Sequence, residues 1–314
     1  MKFSNTVKLV LTNFSNVWKL LLYYTICTVI GVLALYVVVN PIAEVLSEAR
    51  VFDDLMAFFN AIFKEPAGVV KSFDDILITI EQVISANSAD LMLNYIFTIL
   101  LVFVILPFMY GLSDLAIGEV LYGYMTSQTP YSFTGSYFRK FGKSVKYSLA
   151  KLPTHILQEV IGIVLLIGGV KLFVMGSWYG ILLGLLVFVA DIIFYVFKVT
   201  IFTCWMPAIA VNNTGIYKSM GIGIKAVFRN FFSTFSNALI LVLCAVVVNF
   251  FFAVFTFVVG LVVTLPLTIY AFMVYGMVAY FSNQGMRFYV YPDMFVTPKR
   301  IKEQETIKRL RFYI

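Results

Sequence analysis

The chain has 314 residues, 61% of them hydrophobic and 12% charged, with 23 Lys and Arg against 16 Asp and Glu. Soluble domains carry about 45–50% apolar and about 25% charged residues, so this composition, with a mean hydropathy of +0.93, excludes a soluble globular protein. It predicts an all-α polytopic membrane protein, and with no soluble basic domain the net charge of +7 does not call for a nucleic-acid partner.

Residues 1–19 open the pattern. Phe3, Val7, Val10, Phe14 and Val17 recur at three- and four-residue steps, with Lys8, Asn13, Asn16 and Lys19 between them. That spacing predicts an amphipathic helix lying in the cytoplasmic interface. A hydrocarbon core of about 30 Å takes roughly 20 apolar residues, and 20–40 is the first such span. Its apolar run exceeds a signal peptide's and no A-x-A site follows, so we expect it to be retained.

Residues 41–90 form an acidic loop with two helical stripes. One runs Val45, Ala49, Phe52, Leu55, Met56, Phe59, Ile62 and Phe63. After the breaker Glu65-Pro66-Ala67-Gly68, the other runs Val69, Val70, Phe73, Ile76, Leu77, Ile80, Val83 and Ile84. Such a helical hairpin must hide its apolar face. Capping the bundle is the favoured expectation, with lying on the bilayer or docking on a protein partner as alternatives.

The second span is 91–113 and carries Leu106-Pro107-Phe108; a proline there removes a backbone donor and kinks the helix. A basic segment, 114–151, includes YFRKFGKSVKYSLAKL from Tyr137, with Phe138, Phe141, Val145 and Leu149 in helical step. Residues 152–203 predict a hairpin of spans 152–175 and 179–203, turning within GGVKLFVMGSWYG from Gly168. In 204–237, Ile224, Val227, Phe228, Phe231 and Phe235 mark another interfacial helix. The uncharged run 238–282 is too long for one helix and divides at Gly260 into spans 238–259 and 261–282. The tail, 283–314, is basic; Thr297-Pro298 reads as a cap and first helical position before Ile301, Ile307, Leu310 and Ile314. It predicts a helix at the membrane surface, with docking of a protein partner as the sharper alternative.

Orientation follows from charge. Segments 1–19, 114–151, 204–237 and 283–314 hold three, five, three and seven Lys/Arg, whereas 41–90 holds three against nine acids. Lys and Arg mark the cytoplasmic side, so both termini are expected there, in a multi-pass protein of the cell membrane. Composition suggests a bacterial plasma membrane, and the basic loops favour anionic membrane lipids as partners.

The chain echoes itself. VKLVLTNFS from Val7 and IKAVFRNFF from Ile224 align as Val7/Ile224, Lys8/Lys225, Val10/Val227, Asn13/Asn230 and Phe14/Phe231. The same register pairs Cys27 with Cys244 and Val29 with Val246, and Leu265-Pro266-Leu267 in the sixth span answers Leu106-Pro107-Phe108 in the second. Three hairpins, each behind a basic interfacial helix, predict a parallel pseudo-threefold repeat rather than an inverted one. On these residues the chain resembles the bacterial six-span proteins that include the membrane domain of some glycerophosphodiester phosphodiesterases. The resemblance implies alternating interfacial helices and transmembrane hairpins. The family's catalytic domain has no counterpart here, so it transfers no active-site residue, and the long acidic hairpin departs from its simplest pattern.

Ionisable groups within spans are functional candidates by default. Asp191 lies twelve residues beyond Tyr179, about 18 Å into its span at 1.5 Å per residue. Tyr195 and Lys198 follow on the same helix, His155 and Glu159 share a face of the preceding span, and Asn249 lies near the centre of the fifth. We expect a Glu159–Lys198 ion pair, and either a structural polar clasp or an intramembrane cavity lined by Asp191, Tyr195, Lys198, Glu159, His155 and Asn249. Gly176, Gly180 and Gly184 recur every fourth residue as a helix-packing face. Trp18, Trp178 and Trp205 fall near span ends as interfacial anchors.

Catalytic chemistry is not expected. The one His and three dispersed Cys make no metal or redox motif. No cofactor fingerprint occurs. Asp114 and Glu119 are an acid pair, but five residues apart they point to different helix faces. The sequence therefore favours a permease-like protein handling a lipid or small amphiphile, with a non-catalytic subunit or scaffold as the alternative.

Overall fold

The computed structural model describes residues 2–64, 69–126, 132–175, 177–256, 259–291 and 294–298. The expected breaker at 65–68, Gly176 and the tail positions from 299 onward lie outside the described residues.

In chain order the helices are α1 (Lys2–Thr12), α2 (Ser15–Glu48), α3 (Val51–Lys64), α4 (Val69–Ala86) and α5 (Ser88–Leu100). A π-helical turn at Leu101–Ile105 leads into α6 (Leu106–Gly111), followed by α7 (Asp114–Met125), α8 (Phe133–Val174) and α9 (Trp178–Phe202). The remainder is α10 (Trp205–Asn212), α11 (Ile216–Phe228), α12 (Phe231–Phe255), α13 (Leu261–Gln284) and strands β1 (Phe288–Tyr291) and β2 (Met294–Val296). Among the described residues six helical stretches are long and apolar enough to cross a bilayer, so the fold is all-α and polytopic.

Local chemistry explains several boundaries. Pro107 has no N–H to donate to the carbonyl four residues back, and its ring crowds that carbonyl. Widening to π geometry just ahead of it relieves the crowding, and Leu106 N–H there reaches back to Leu101 O. Helices break between α1 and α2 at Asn13 and between α11 and α12 at Asn230. By contrast 137–152 is no separate interfacial helix: α8 runs through Pro153 as one helix of 42 residues. The β1–β2 pairing, Phe288 opposite Val296, answers an aromatic and β-branched run around Pro292-Asp293 that we read only as a basic tail.

The chain forms two compact units. The first comprises the described residues of Met1–Ile26, Phe108–Lys151 and Phe194–Ile314. Its core is α7, with ten of twelve residues buried, and the second half of α13, from Tyr270 to Asn283. Trp205, Phe281, Phe288 and Val290 fill the space around them. The segments read as loops at 114–151 and 204–237 thus contain some of the most closely packed helices of this unit.

The second unit is Cys27–Pro107 with Leu152–Ile193. Here α3 and α4 pack as a hairpin, with the Phe58 and Phe73 rings 5.7 Å apart. Asn94 Nδ2 on α5 donates to Val38 O on α2 at 2.9 Å. Large apolar side chains such as Leu33, Val37, Leu93, Ile99, Val164 and Leu185 are turned outward, the arrangement expected where the solvent is lipid rather than water.

Candidate functional site

In the first unit α7 supplies two buried carboxylates, Asp114 and Glu119, at 5% and 8% exposure. Its glycine at 118 lets the helix accept the Met206 side chain of α10, which a β-carbon would displace. On the other side of α10, Gly223 of α11 lies where a β-carbon would be 2.7 Å from Cys204 O. Trp205 is held by its Nε1–H donating to Ile216 O at 3.0 Å, and Tyr147 of α8 stacks edge-on against it at 5.1 Å. These contacts fix α10 between its neighbours.

Against this frame the first part of α8 turns a polar face inward. Ser136, Ser144, Tyr147 and Ser148 are buried, while Phe138, at 73% exposure, Phe141 and Leu149 face out. Arg139, Lys146 and Lys151 are exposed as well, so the outward side mixes aromatic and basic groups, as suits a helix at a membrane interface. Along the polar face Lys151 Nζ reaches Asp114 Oδ2 at 2.7 Å. Arg139 Nη2 reaches Glu119 Oε2 at 2.7 Å and Lys140 Nζ reaches Glu119 Oε1 at 3.1 Å. Both acids are thus ion-paired, which buried carboxylates require.

Asn213 ends α10 in the left-handed region, φ 50°, where asparagine is the best-tolerated residue after glycine. Its N–H closes onto Ile209 O at 3.0 Å, and its side-chain Oδ1 accepts from Lys140 Nζ and from Lys143 Nζ, each at 3.0 Å. A small open cleft lies here, lined by Leu115, Glu119, Lys140, Lys143, Ile209, Ala210 and Asn213.

The residues singled out from sequence are divided between the units. Glu159, His155 and Asp191 belong to the second. There His155 Nδ1 lies 3.6 Å from Glu159 Oε1, one turn along α8, and Asp191 Oδ1 is 3.6 Å from where a β-carbon on Gly162 would be. A β-carbon on Gly180 would strike Leu172 O, and one on Gly184 would be 2.9 Å from Gly169 O. Tyr195, Lys198 and Asn249 belong to the first unit, where Asn249 Nδ2 on α12 donates to Thr268 Oγ1 on α13 at 3.0 Å.

The Asp114–Glu119 cluster was set aside on the five-residue spacing of its acids. Arg and Lys side chains are long enough to reach carboxylates on two sides of a helix. The available signal was the polar spacing of Ser136, Lys140, Lys143, Ser144, Tyr147, Ser148 and Lys151, opposite Phe138 and Phe141.

No family model, no curated protein and no solved structure matches this chain. Composition and the six apolar helices define its class: a multi-pass integral membrane protein.

Proposed function

We propose that this is a permease-like protein handling an anionic lipid or small anionic amphiphile, alone or as the membrane part of a transport system, with its basic loops on the cytoplasmic side. The observation that carries this is the polar inward face of the first part of α8. Phe138, Phe141 and Leu149 are exposed, while Ser136, Ser144, Ser148 and the carboxylates of Asp114 and Glu119 lie within the protein, each acid paired with basic residues of α8. A polar surface reached from a membrane interface is what an amphiphile needs. No catalysis is proposed, since both carboxylates of α7 are held in ion pairs. Within the spans, Asp191, Tyr195, Lys198, Glu159, His155 and Asn249 remain the proposed polar contacts for such a ligand.

The test is transport of a fluorescent anionic lipid in proteoliposomes. We expect movement above protein-free vesicles, reduced about tenfold or more by Asp191→Asn or Lys198→Ala, as loss of one charged contact implies. Normal transport by both variants would overturn the role proposed for these polar residues, and no transport by the wild type would overturn the permease reading.

A second reading has its own observation. On the acidic α3–α4 hairpin Phe52, Leu55, Met56, Ile78 and Ile84 are exposed, a face suited to a protein partner of a non-transporting subunit. Site-specific photocrosslinking from Met56 that captures lipid alone would remove this alternative.

A further inference from the structure

We propose that the cleft beside Asn213 is a binding site for a phosphate group, held by Lys140 and Lys143 in the place now filled by the Asn213 amide oxygen. The site rests on the lipid-handling reading for its location at the membrane surface, and it names the chemistry recognised there.

The charge count leads to this. Among the described residues, Arg139, Lys140 and Lys143 are three cations gathered around one carboxylate, Glu119, so basic groups outnumber acids at the cluster. Both Glu119 oxygens are engaged, one by Arg139 and one by Lys140. Lys143 has only the neutral Asn213 Oδ1 as acceptor among the described residues, and that oxygen is shared with Lys140. Two ammonium groups share one uncharged oxygen and repel each other, and the Glu119 carboxylate, already paired with Arg139 and Lys140, offsets this only in part. An anionic oxygen at the same place would attract both, through charge-assisted bonds stronger than those to an amide.

The shape selects among anions. Leu115, Ile209 and Ala210 give the cleft an apolar wall, while its cations lie on one side. A phosphate monoester offers several oxygens to two donors and carries up to two negative charges, which the excess of cations favours. Paired Glu119 closes the other side against a large polyanion. The exposed Phe138 and Phe141 on the opposite face of the same helix place the cations where an acyl chain would remain in the bilayer. Phosphatidic acid and a free phosphate share this chemistry, and they are separated by experiment.

Asn213 makes the test specific. Asn213→Gly suits the φ of 50° and removes the competing oxygen. Asn213→Asp puts an anion of the protein's own at the same point. Full-length protein would be studied by native mass spectrometry with dioleoyl phosphatidic acid, dioleoyl phosphatidylcholine and inorganic phosphate. We expect a phosphatidic acid adduct preferred over phosphatidylcholine. Lys143→Gln should weaken it about tenfold or more, the loss expected for one charge-assisted bond. Asn213→Asp should abolish it and Asn213→Gly should tighten it. Lys146→Gln, a change on the same helix outside the cleft, should leave it unchanged. Displacement of the lipid by inorganic phosphate supports recognition of the phosphate itself. Binding of inorganic phosphate without the lipid supports the site and overturns the lipid reading. Equal effects of the Lys143, Asn213 and Lys146 substitutions, or no binding of either probe, would overturn the site. Because binding is read without transport, inactive proteoliposomes with intact binding would sink the permease reading alone.

Discussion

Lys2 shows how a single residue couples burial to pH. Its Nζ donates to Thr234 Oγ1 at 2.9 Å and Asn283 Oδ1 at 2.8 Å, both uncharged, in a buried setting. Burial pushes the ammonium down from 10.5 to about 8, with the Cys204 thiol group opposing the shift weakly. A neutral amine still has two hydrogens for those two acceptors. Below about pH 8 folded and unfolded chains both carry the proton, and the burial cost is present in full. Between about 8 and 10.5 the unfolded chain binds more protons, so stability rises with pH. The gain approaches about 3 kcal/mol at the top of that window. We expect wild-type protein in detergent to gain thermal stability relative to Lys2→Met as pH rises from 7 to 10, the difference reaching about 2 kcal/mol or more. A pH-independent difference would sink this account. The sequence predicted a basic interfacial position for the first helix, because residue spacing identifies an amphipathic surface. It could not tell which way Lys2 faced, since the acceptors lie more than 200 residues away. The same blindness hid the Asn213 cluster, whose lysines come from 70 and 73 residues upstream.

At the scale of elements, small residues decide how closely α8 and α9 approach. A β-carbon on Gly184 would be 2.9 Å from Gly169 O and 3.2 Å from Phe173 N, whereas one on Gly168 would meet nothing within 4 Å. The two positions therefore separate packing from helix propensity. Alanine at Gly168 should be neutral or stabilise by up to about 1 kcal/mol, the intrinsic gain over glycine. Alanine at Gly184 should destabilise by about 1–3 kcal/mol, since backbone cannot step aside as a side chain can. Thermal unfolding of the purified variants reads the contrast, and equal shifts would mean that Gly184 packs no more tightly than Gly168. The four-residue spacing of Gly180 and Gly184 was legible as a packing face. Their partners on α8 were not, because the spacing shows which face of α9 is small and not which backbone atoms of its neighbour lie against it; the end of α8 at Val174 agrees with the span expected to 175. The π turn before Pro107 was legible only as a kink. A missing donor is visible in sequence, while the way the backbone absorbs it depends on the whole helix.

For the whole molecule, hydropathy made the six spans legible because a lipid solvent imposes the same length and apolarity on each. The packed helices between spans were less so: α7 and α10 are short and themselves apolar, and sequence alone does not distinguish burial in protein from burial in lipid. Charge supplies what hydropathy lacks. An even number of crossings puts both ends on one side, and the 41–90 segment, with nine acids and three bases, opposes segments that are basic on balance. The positive-inside rule then predicts Glu81 of α4 outside and Lys225 of α11 in the cytoplasm. Single cysteines at 81 and 225, in chains with Cys27, Cys204 and Cys244 replaced by alanine, make this measurable with a membrane-impermeant maleimide. We expect labelling at 81 in intact cells and at 225 only after permeabilisation. The reverse pattern would put the Lys140–Lys143 cleft on the outer face, where a phosphate ligand would have to come from the other leaflet. Labelling of both positions in intact cells would contradict the six-crossing topology, because with the segments at 91–113, 152–175 and 179–203 all crossing, 81 and 225 lie on opposite sides.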